Sequence, residues 1–209
     1  MKRLALILAA VLLLAACAPT SPRYQMSRTG VDSIEYLTGT PFIFEDTLAG
    51  LESRASYVVR GRIGTDARTL MVREEYIDPN LMFRPSRGYT LVTLEVLEVI
   101  MGDLAPGGHI TIVEPYYIFE RVLFTRSHYL PSTPGEEYFF FLGRRQSVLA
   151  PDGLEGTYPV IHGERGRYLV TTSRTALRNY DVVYRYLGER ADFDLYFDLW
   201  LDVLNAYMR

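Results

Sequence analysis

One cysteine and one lysine occur in this chain of 209 residues. With Cys17 alone there is no intramolecular disulfide and no cysteine metal site, so the fold must rest on its core. Lys2 is the only lysine and every other cation is arginine, which removes lysine Schiff-base and general-base chemistry from the body of the chain. Catalytic signatures are missing as well. No serine sits in Gly-x-Ser-x-Gly, no glycine-rich loop follows a strand to open a helix, and no His-Glu-x-x-His occurs. His109, His128 and His162 lie far apart, whereas a zinc site needs three or four ligands. Glu74-Glu75 and Glu136-Glu137 are neighbours whose side chains point to opposite faces of a strand. A glycosidase pair would have to face across about 5 to 9.5 Å. The expectation is a protein with no catalytic residue, no metal and no cofactor.

Long apolar runs are also scarce, and the longest, Leu4 to Leu14, falls short of the roughly 20 residues a membrane-spanning helix requires. It follows Lys2 and Arg3 and closes with Leu14-Ala15-Ala16-Cys17, the pattern of a secretory signal with small residues at the cleavage position. This ending resembles the lipobox of bacterial lipoproteins. The resemblance implies cleavage before Cys17, a diacylglycerol on its sulfur, and a new α-amine open to acylation, for example with palmitate. At about 0.8 kcal/mol per buried CH₂, two or more chains anchor stably where one binds reversibly. Ala18 stands where an Asp would favour inner-membrane retention in enteric-type bacteria. The expected location is therefore the cell envelope, lipid-anchored, at the outer membrane or cell surface in preference to the inner membrane.

Removing residues 1–16 leaves about 193 residues, enough for one ordinary domain. Without Lys2 and Arg3 the remaining basic residues are outnumbered by 25 acidic ones, for a net charge of about −5. Nucleic acid is a poor partner for such a surface. The expected partners are the membrane, through the lipid on Cys17, and another envelope protein or surface ligand.

Residues 17–33 are polar, with Pro19 and Pro22 and no apolar period, and read as the lipidated cysteine and a flexible tether. Residues 34–172 are expected to form the domain and 173–209 a C-terminal helical pair packed on it. Phe42, Phe44, Leu48, Leu51 and Ala55 form a first apolar set, with a short helix predicted over about 46–54. From Ser56 the period becomes two: Tyr57, Val59, Gly61 and Ile63 share one face, Arg60 and Arg62 the other. Leu70 to Tyr76 continues the pattern past the turn at 64–67, as a hairpin partner. Gly88 to Ile100 alternates and then slips phase at Leu97 and Val99, the mark of a β-bulge or bend. A glycine- and proline-bearing turn over 101–108 leads to a strand from His109 to Glu114, limited by Pro115. Tyr138 to Leu142 is a continuous apolar run and reads as a central strand buried on both faces. Tyr158 to His162 and Arg167 to Thr171 read as a last hairpin joined by 163–166. In the tail, Leu177, Tyr180, Tyr184 and Leu187 mark one helix, Gly188 can stop it and Asp192 can cap the next. Phe193, Tyr196, Phe197, Trp200, Leu201 and Leu204 then form an apolar stripe that must cover something.

Four pieces carry a wider resemblance: Ala55-Ser56-Tyr57-Val58-Val59-Arg60-Gly61-Arg62-Ile63, Val96 to Leu104, Pro106 to Ile112, and Pro134-Gly135-Glu136-Glu137-Tyr138-Phe139-Phe140-Phe141-Leu142. Residues 55–171 resemble a widespread exported bacterial domain, with Ser56 in place of its Asp and Met101 in place of the Lys before Gly102-Asp103. Its strand pattern is similar to the OB-like barrel of metalloproteinase-inhibitor and netrin-type modules. The resemblance implies a mainly β fold: an OB-like antiparallel β-barrel with a short N-terminal helix and a C-terminal helical pair. It carries no function by itself. Tissue metalloproteinase inhibitors chelate zinc through the free amine of a disulfide-held N-terminal cysteine. A lipidated Cys17 on a tether without a disulfide partner does not fit that mechanism.

The stretch most open to a functional reading is 116–129. Tyr116, Tyr117, Phe119, Arg121, Arg126, His128 and Tyr129 are of the kinds that dominate binding hot spots, burying large area while offering hydrogen bonds. As a loop of an OB-like barrel it is the candidate binding surface; as an insertion its aromatics would complete the barrel core. The expected function is a membrane-anchored, non-catalytic binding or interaction module. The alternative is an envelope hydrolase, which would bring Glu114, His128 and His162 together in one cleft.

Overall fold

The computed structural model describes residues 30–37, 45–72, 87–126, 129–148, 150, 153–171 and 193–208. The expectations for the signal sequence, for Cys17 and most of the tether, for Phe42 and Phe44, for residues 73–76, for His128, and for the helix marked by Leu177 to Leu187 lie outside the described residues.

The described residues are mainly β, curled into a half-barrel and covered by a C-terminal helix, the OB-like class expected of the sequence. Strand β1 is Ser33–Tyr36, helix α1 Leu48–Arg54, β2 Tyr57–Ile63, β3 Arg68–Val72, β4 Arg87–Met101, β5 His109–Glu114, β6 Tyr116–Phe119, β7 Val122–Thr125, β8 Glu137–Leu142, β9 Tyr158–Pro159, β10 Arg167–Leu169 and α2 Phe193–Tyr207. The larger sheet runs β10-β8-β2-β4-β5-β9, with β3 also on β4, and the smaller runs β1-β7-β6.

The barrel follows from two strands. β4 is long enough to pair with β2 along its second half and with β3 along its first, and its other edge takes β5. Opposite β2, the β4 register slips twice, stepping past Ile100 and Leu97, so the phase slip in the sequence is a pair of bulges that bend the strand. The expected hairpin of β2 with the segment after 64–67 is corrected. β3 pairs with β4 and not with β2, because the turn continues the chain along β4 without reversing it. Asp66 holds that turn: Thr93 donates to it from its backbone N at 3.1 Å and from its hydroxyl at 2.5 Å.

β8 is the second organiser. Tyr138 to Leu142 are all fully buried between β2 on one side and β10 on the other. At about 1.5–3 kcal/mol per buried large side chain, these five residues supply a major part of the core. Residues 158–161 close the curl. They run parallel to β5 at Ile112 and Val113, then cross to β8, where Val160 bridges Leu142 and the Ile161 N–H donates to the Phe141 carbonyl at 3.1 Å.

The expected last hairpin is corrected as well. Residues 158–161 and β10 do not pair with each other; Val160, Ile161 and then β10 lie on β8 in succession, and the 3₁₀ turn Gly163–Gly166, entered through His162, is looped out between them. His162 and Gly163 enter it with φ of 61° and 58°, and a Cβ on Gly166 would fall on the Ile161 carbonyl oxygen. A hairpin cannot form where the chain must stay on one edge.

α1 begins one residue after its cap, Thr47, whose hydroxyl accepts the Gly50 N–H at 3.1 Å. α2 buries Tyr196, Leu199, Trp200, Val203 and Leu204, a face turned slightly from the stripe read in the sequence, with Phe197 and Leu201 half-buried at its border. It covers the barrel: Tyr196 stacks on Tyr168, Tyr207 meets Phe139 and Phe141, and the Trp200 indole N–H donates to the Leu169 carbonyl at 2.8 Å. Among the described residues, no helix is long and apolar enough to cross a membrane.

Candidate functional site

The stretch 116–129 is a β-hairpin over 116–125 rather than a loop. Phe119 pairs with Val122, so Glu120 and Arg121 form a two-residue turn, and both carry positive φ, 47° and 62°. That conformation suits the right-handed twist of a hairpin, though Asn-Gly is the usual sequence for it. An ion pair braces the turn: Arg121 donates to Asp32 through Nε at 2.7 Å and Nη2 at 2.8 Å, and the Asp32 N–H donates to the Arg121 carbonyl at 2.7 Å. The hydrogen-bonded Arg121 holds the Asp32 carboxyl below its ordinary pKa. β1 then runs parallel to β7 from Ser33 and Val31 is buried, so the last residues of the stretch expected to be tether belong to the fold.

The named aromatics divide. Tyr116, Tyr117 and Tyr129 are buried and present nothing to a partner. Tyr117 stacks on Phe124 at 4.9 Å and lies against Gly88, where any Cβ would strike its ring. Tyr116 stacks with Tyr129 at 6.3 Å. Their expected role as an exposed patch is corrected by this packing, since an aromatic face between two sheets gains more by leaving water than by facing it. Phe119 and Arg126 are half-buried and Arg121 is exposed, so the hairpin tip and its flank keep the surface part of the candidate. His128 lies outside the described residues.

Beneath the hairpin, Glu114 meets a partner that the sequence does not announce. Glu114, at the end of β5, and Arg167, the first residue of β10, form an ion pair at 3.4 Å with each side chain 1 % exposed. Tyr129 donates its hydroxyl to Glu114 Oε1 at 2.5 Å, and Ser132 donates to the same oxygen. Arg167 Nη1 donates to the Leu130 carbonyl at 2.8 Å and to Ser132 Oγ at 2.7 Å. Its guanidinium carbon lies 4.4 Å from the centroid of Tyr129 and 5.2 Å from that of Tyr138. Burial works to lower the Arg167 pKa, but Tyr129, Tyr138, Glu114 and Tyr196 outweigh it and hold the group above its ordinary value. Burial likewise pushes the Tyr129 and Tyr138 hydroxyls up. The cluster therefore neither gives nor takes a proton near neutral pH on the tyrosine or arginine side. No local signal marks Arg167, which sits in the charged run Glu164-Arg165-Gly166-Arg167 and looks solvated there.

Several other carboxylates are engaged as well. Glu137 takes Arg60 at 2.6 Å and Arg62 at 2.7 Å, and Arg62 reaches Glu95 at 3.0 Å, a ladder on the outer face of β8, β2 and β4. Glu136 accepts from the Tyr138 hydroxyl at 2.9 Å. His109 is exposed at the start of β5, and His162 is buried in the 3₁₀ turn. Among the described residues, no group of three or more histidine, cysteine or acidic side chains is placed to hold a metal ion.

Compared with protein-family models and with curated proteins, the chain matches none.

Proposed function

We propose that this protein is a lipid-anchored bacterial envelope lipoprotein whose barrel serves as a non-catalytic interaction module, with the β6–β7 hairpin tip as its contact surface. The observation that carries this reading is the use of Glu114 inside the barrel. The acid that a hydrolase would need in a cleft is instead bound by Tyr129, Ser132 and Arg167 and sealed from solvent. Such a group stiffens a core and leaves recognition to the surface. The lipobox-like Leu14-Ala15-Ala16-Cys17 supports the anchor, and the acidic net charge supports a protein or surface ligand over nucleic acid. Phe119, Glu120, Arg121 and Arg126 are the contact residues on this reading, with Tyr116, Tyr117 and Tyr129 as their buried base.

The test is site-specific photocrosslinking in the native envelope. A probe at Glu120 is expected to capture a discrete partner that is lost in the Phe119→Ala variant, while a probe at Val148, exposed on a different loop, does not capture it. Identical captures from both positions would overturn the assignment of the tip.

A further inference from the structure

The 3₁₀ turn Gly163–Gly166 is buried throughout, although it holds Glu164 and Arg165. Arg165 is directed to the segment before α1, donating to Asp46 Oδ1 at 2.5 Å and to the Glu45 carbonyl at 3.4 Å. Glu164 has no such arrangement: the residue is 7 % exposed and, among the described residues, its Oε2 has no hydrogen-bond partner. A buried carboxylate oxygen without a donor is costly, and the cost is smaller when the group is neutral.

The groups bearing on Glu164 come from the elements packed around the turn. Arg165 acts on it from the same turn, and His162 precedes it there. Asp46, ahead of α1, is spent on Arg165. Tyr168 of β10 and Tyr196 of α2 both feel the Glu164 charge, which raises their hydroxyls further. β8, the other strand packed against the turn, presents Phe140 and Phe141 at that level, which carry no charge. Burial, opposed by the residue's own backbone N–H and by Arg165, pushes Glu164 up to about 7.

The same place joins α2 to the barrel. Tyr196 stacks on Tyr168 at 5.0 Å and donates its hydroxyl to the carbonyl of Arg167, the residue just beyond Gly166, at 2.7 Å. We propose that Glu164 is the catch of a proton-operated latch: neutral, it lets the 162–166 turn stay buried and α2 docked on β10; ionised, it draws the turn toward water and loosens α2. The proton leaves to solvent and no other reactant is needed. The looped-out turn is suited to this motion because it interrupts the strand pairing on β8, so it can move without breaking the ladder at Phe141 or Phe140.

Trp200, the only tryptophan, reports on the docked helix through its indole bond to Leu169. The experiment follows its fluorescence and the far-ultraviolet circular dichroism of the full-length protein in detergent from about pH 5.5 to 8.5. The expected result is a red shift with a midpoint within about one unit of pH 7, unchanged circular dichroism, and no shift in Glu164→Gln, which copies the neutral acid. A flat wild-type titration would overturn the latch whatever the variant does. So would a shift that persists in Glu164→Gln, or one accompanied by loss of secondary structure, which is global unfolding.

Discussion

Arg167 and Glu114 meet 3.4 Å apart, sealed from solvent, with Tyr129 stacked on the guanidinium and hydrogen-bonded to the carboxylate at once. Removing one partner strands the other in a low-dielectric site, which costs about 3–5 kcal/mol, whereas removing both need not. Arg167→Met and Glu114→Gln are each expected to lose stability on this scale in urea unfolding. The double variant should lose clearly less than the sum. Additive losses would mean that the two groups are not coupled.

Two hydroxyls tie α2 to the rest of the fold, and they differ in burial. Tyr196 donates to the Arg167 carbonyl inside the core, whereas Tyr207 donates to Glu52 of α1 at 2.6 Å in a partly buried contact. Tyr196→Phe leaves a buried carbonyl short of a donor and is expected to cost about 1–3 kcal/mol. Tyr207→Phe should cost about 1 kcal/mol or less, since water can reach Glu52. Thermal unfolding of the two variants checks the order.

The pH profile of stability has two limbs of opposite sign. Asp32, Asp66 and Glu137 are held below their ordinary pKa, by Arg121, Thr93 and Arg60 respectively, so their contribution is present above the unfolded values and lost as pH falls through the folded ones. Glu164 is raised to about 7, so its contribution is full below its unfolded value of 4.5 and lost as pH rises through 7. Stability should peak at about pH 4.5–5 and fall by at most about 3 kcal/mol by pH 8, in denaturant titrations at fixed salt. Glu164→Gln should flatten the alkaline limb and leave the acid limb in place.

The elements legible in the sequence are those whose pattern is set by burial on one or two faces. β2, β5 and β8 fall where alternation or a continuous apolar run places them, and the phase slip in β4 is a real pair of bulges. α1 and α2 are legible from helical spacing, and α1 opens at Leu48, inside the predicted 46–54. The β6–β7 hairpin is hidden because its turn is Glu120-Arg121, without the glycine or asparagine that marks positive φ. The 162–166 excursion is hidden for the opposite reason, since its glycines look like those of an ordinary hairpin. The Glu114–Arg167 pair joins positions 53 apart in the chain, and no local pattern records so distant a contact.

The anchor is open to a direct test at Cys17. Cys17→Ala removes the sulfur that the lipid would occupy, so the variant is expected to remain unprocessed or to leave the membrane fraction, and to incorporate no labelled palmitate. Membrane retention and labelling equal to wild type would exclude lipidation at this residue.

The hairpin turn holds two non-glycine residues in the left-handed region, which strains the backbone, and the Asp32 pair offsets part of that strain. The pair is solvent-exposed on both sides, so water and salt screen most of its attraction. Replacing Glu120-Arg121 by Asn-Gly relieves the backbone and gives up the pair, so the double variant should unfold at the wild-type temperature or up to about 4 °C above it. Raising the salt concentration should weaken the wild type slightly and leave the variant unchanged on this account. A lower unfolding temperature in the variant would show that Arg121 secures β1 to β7 by more than its charge.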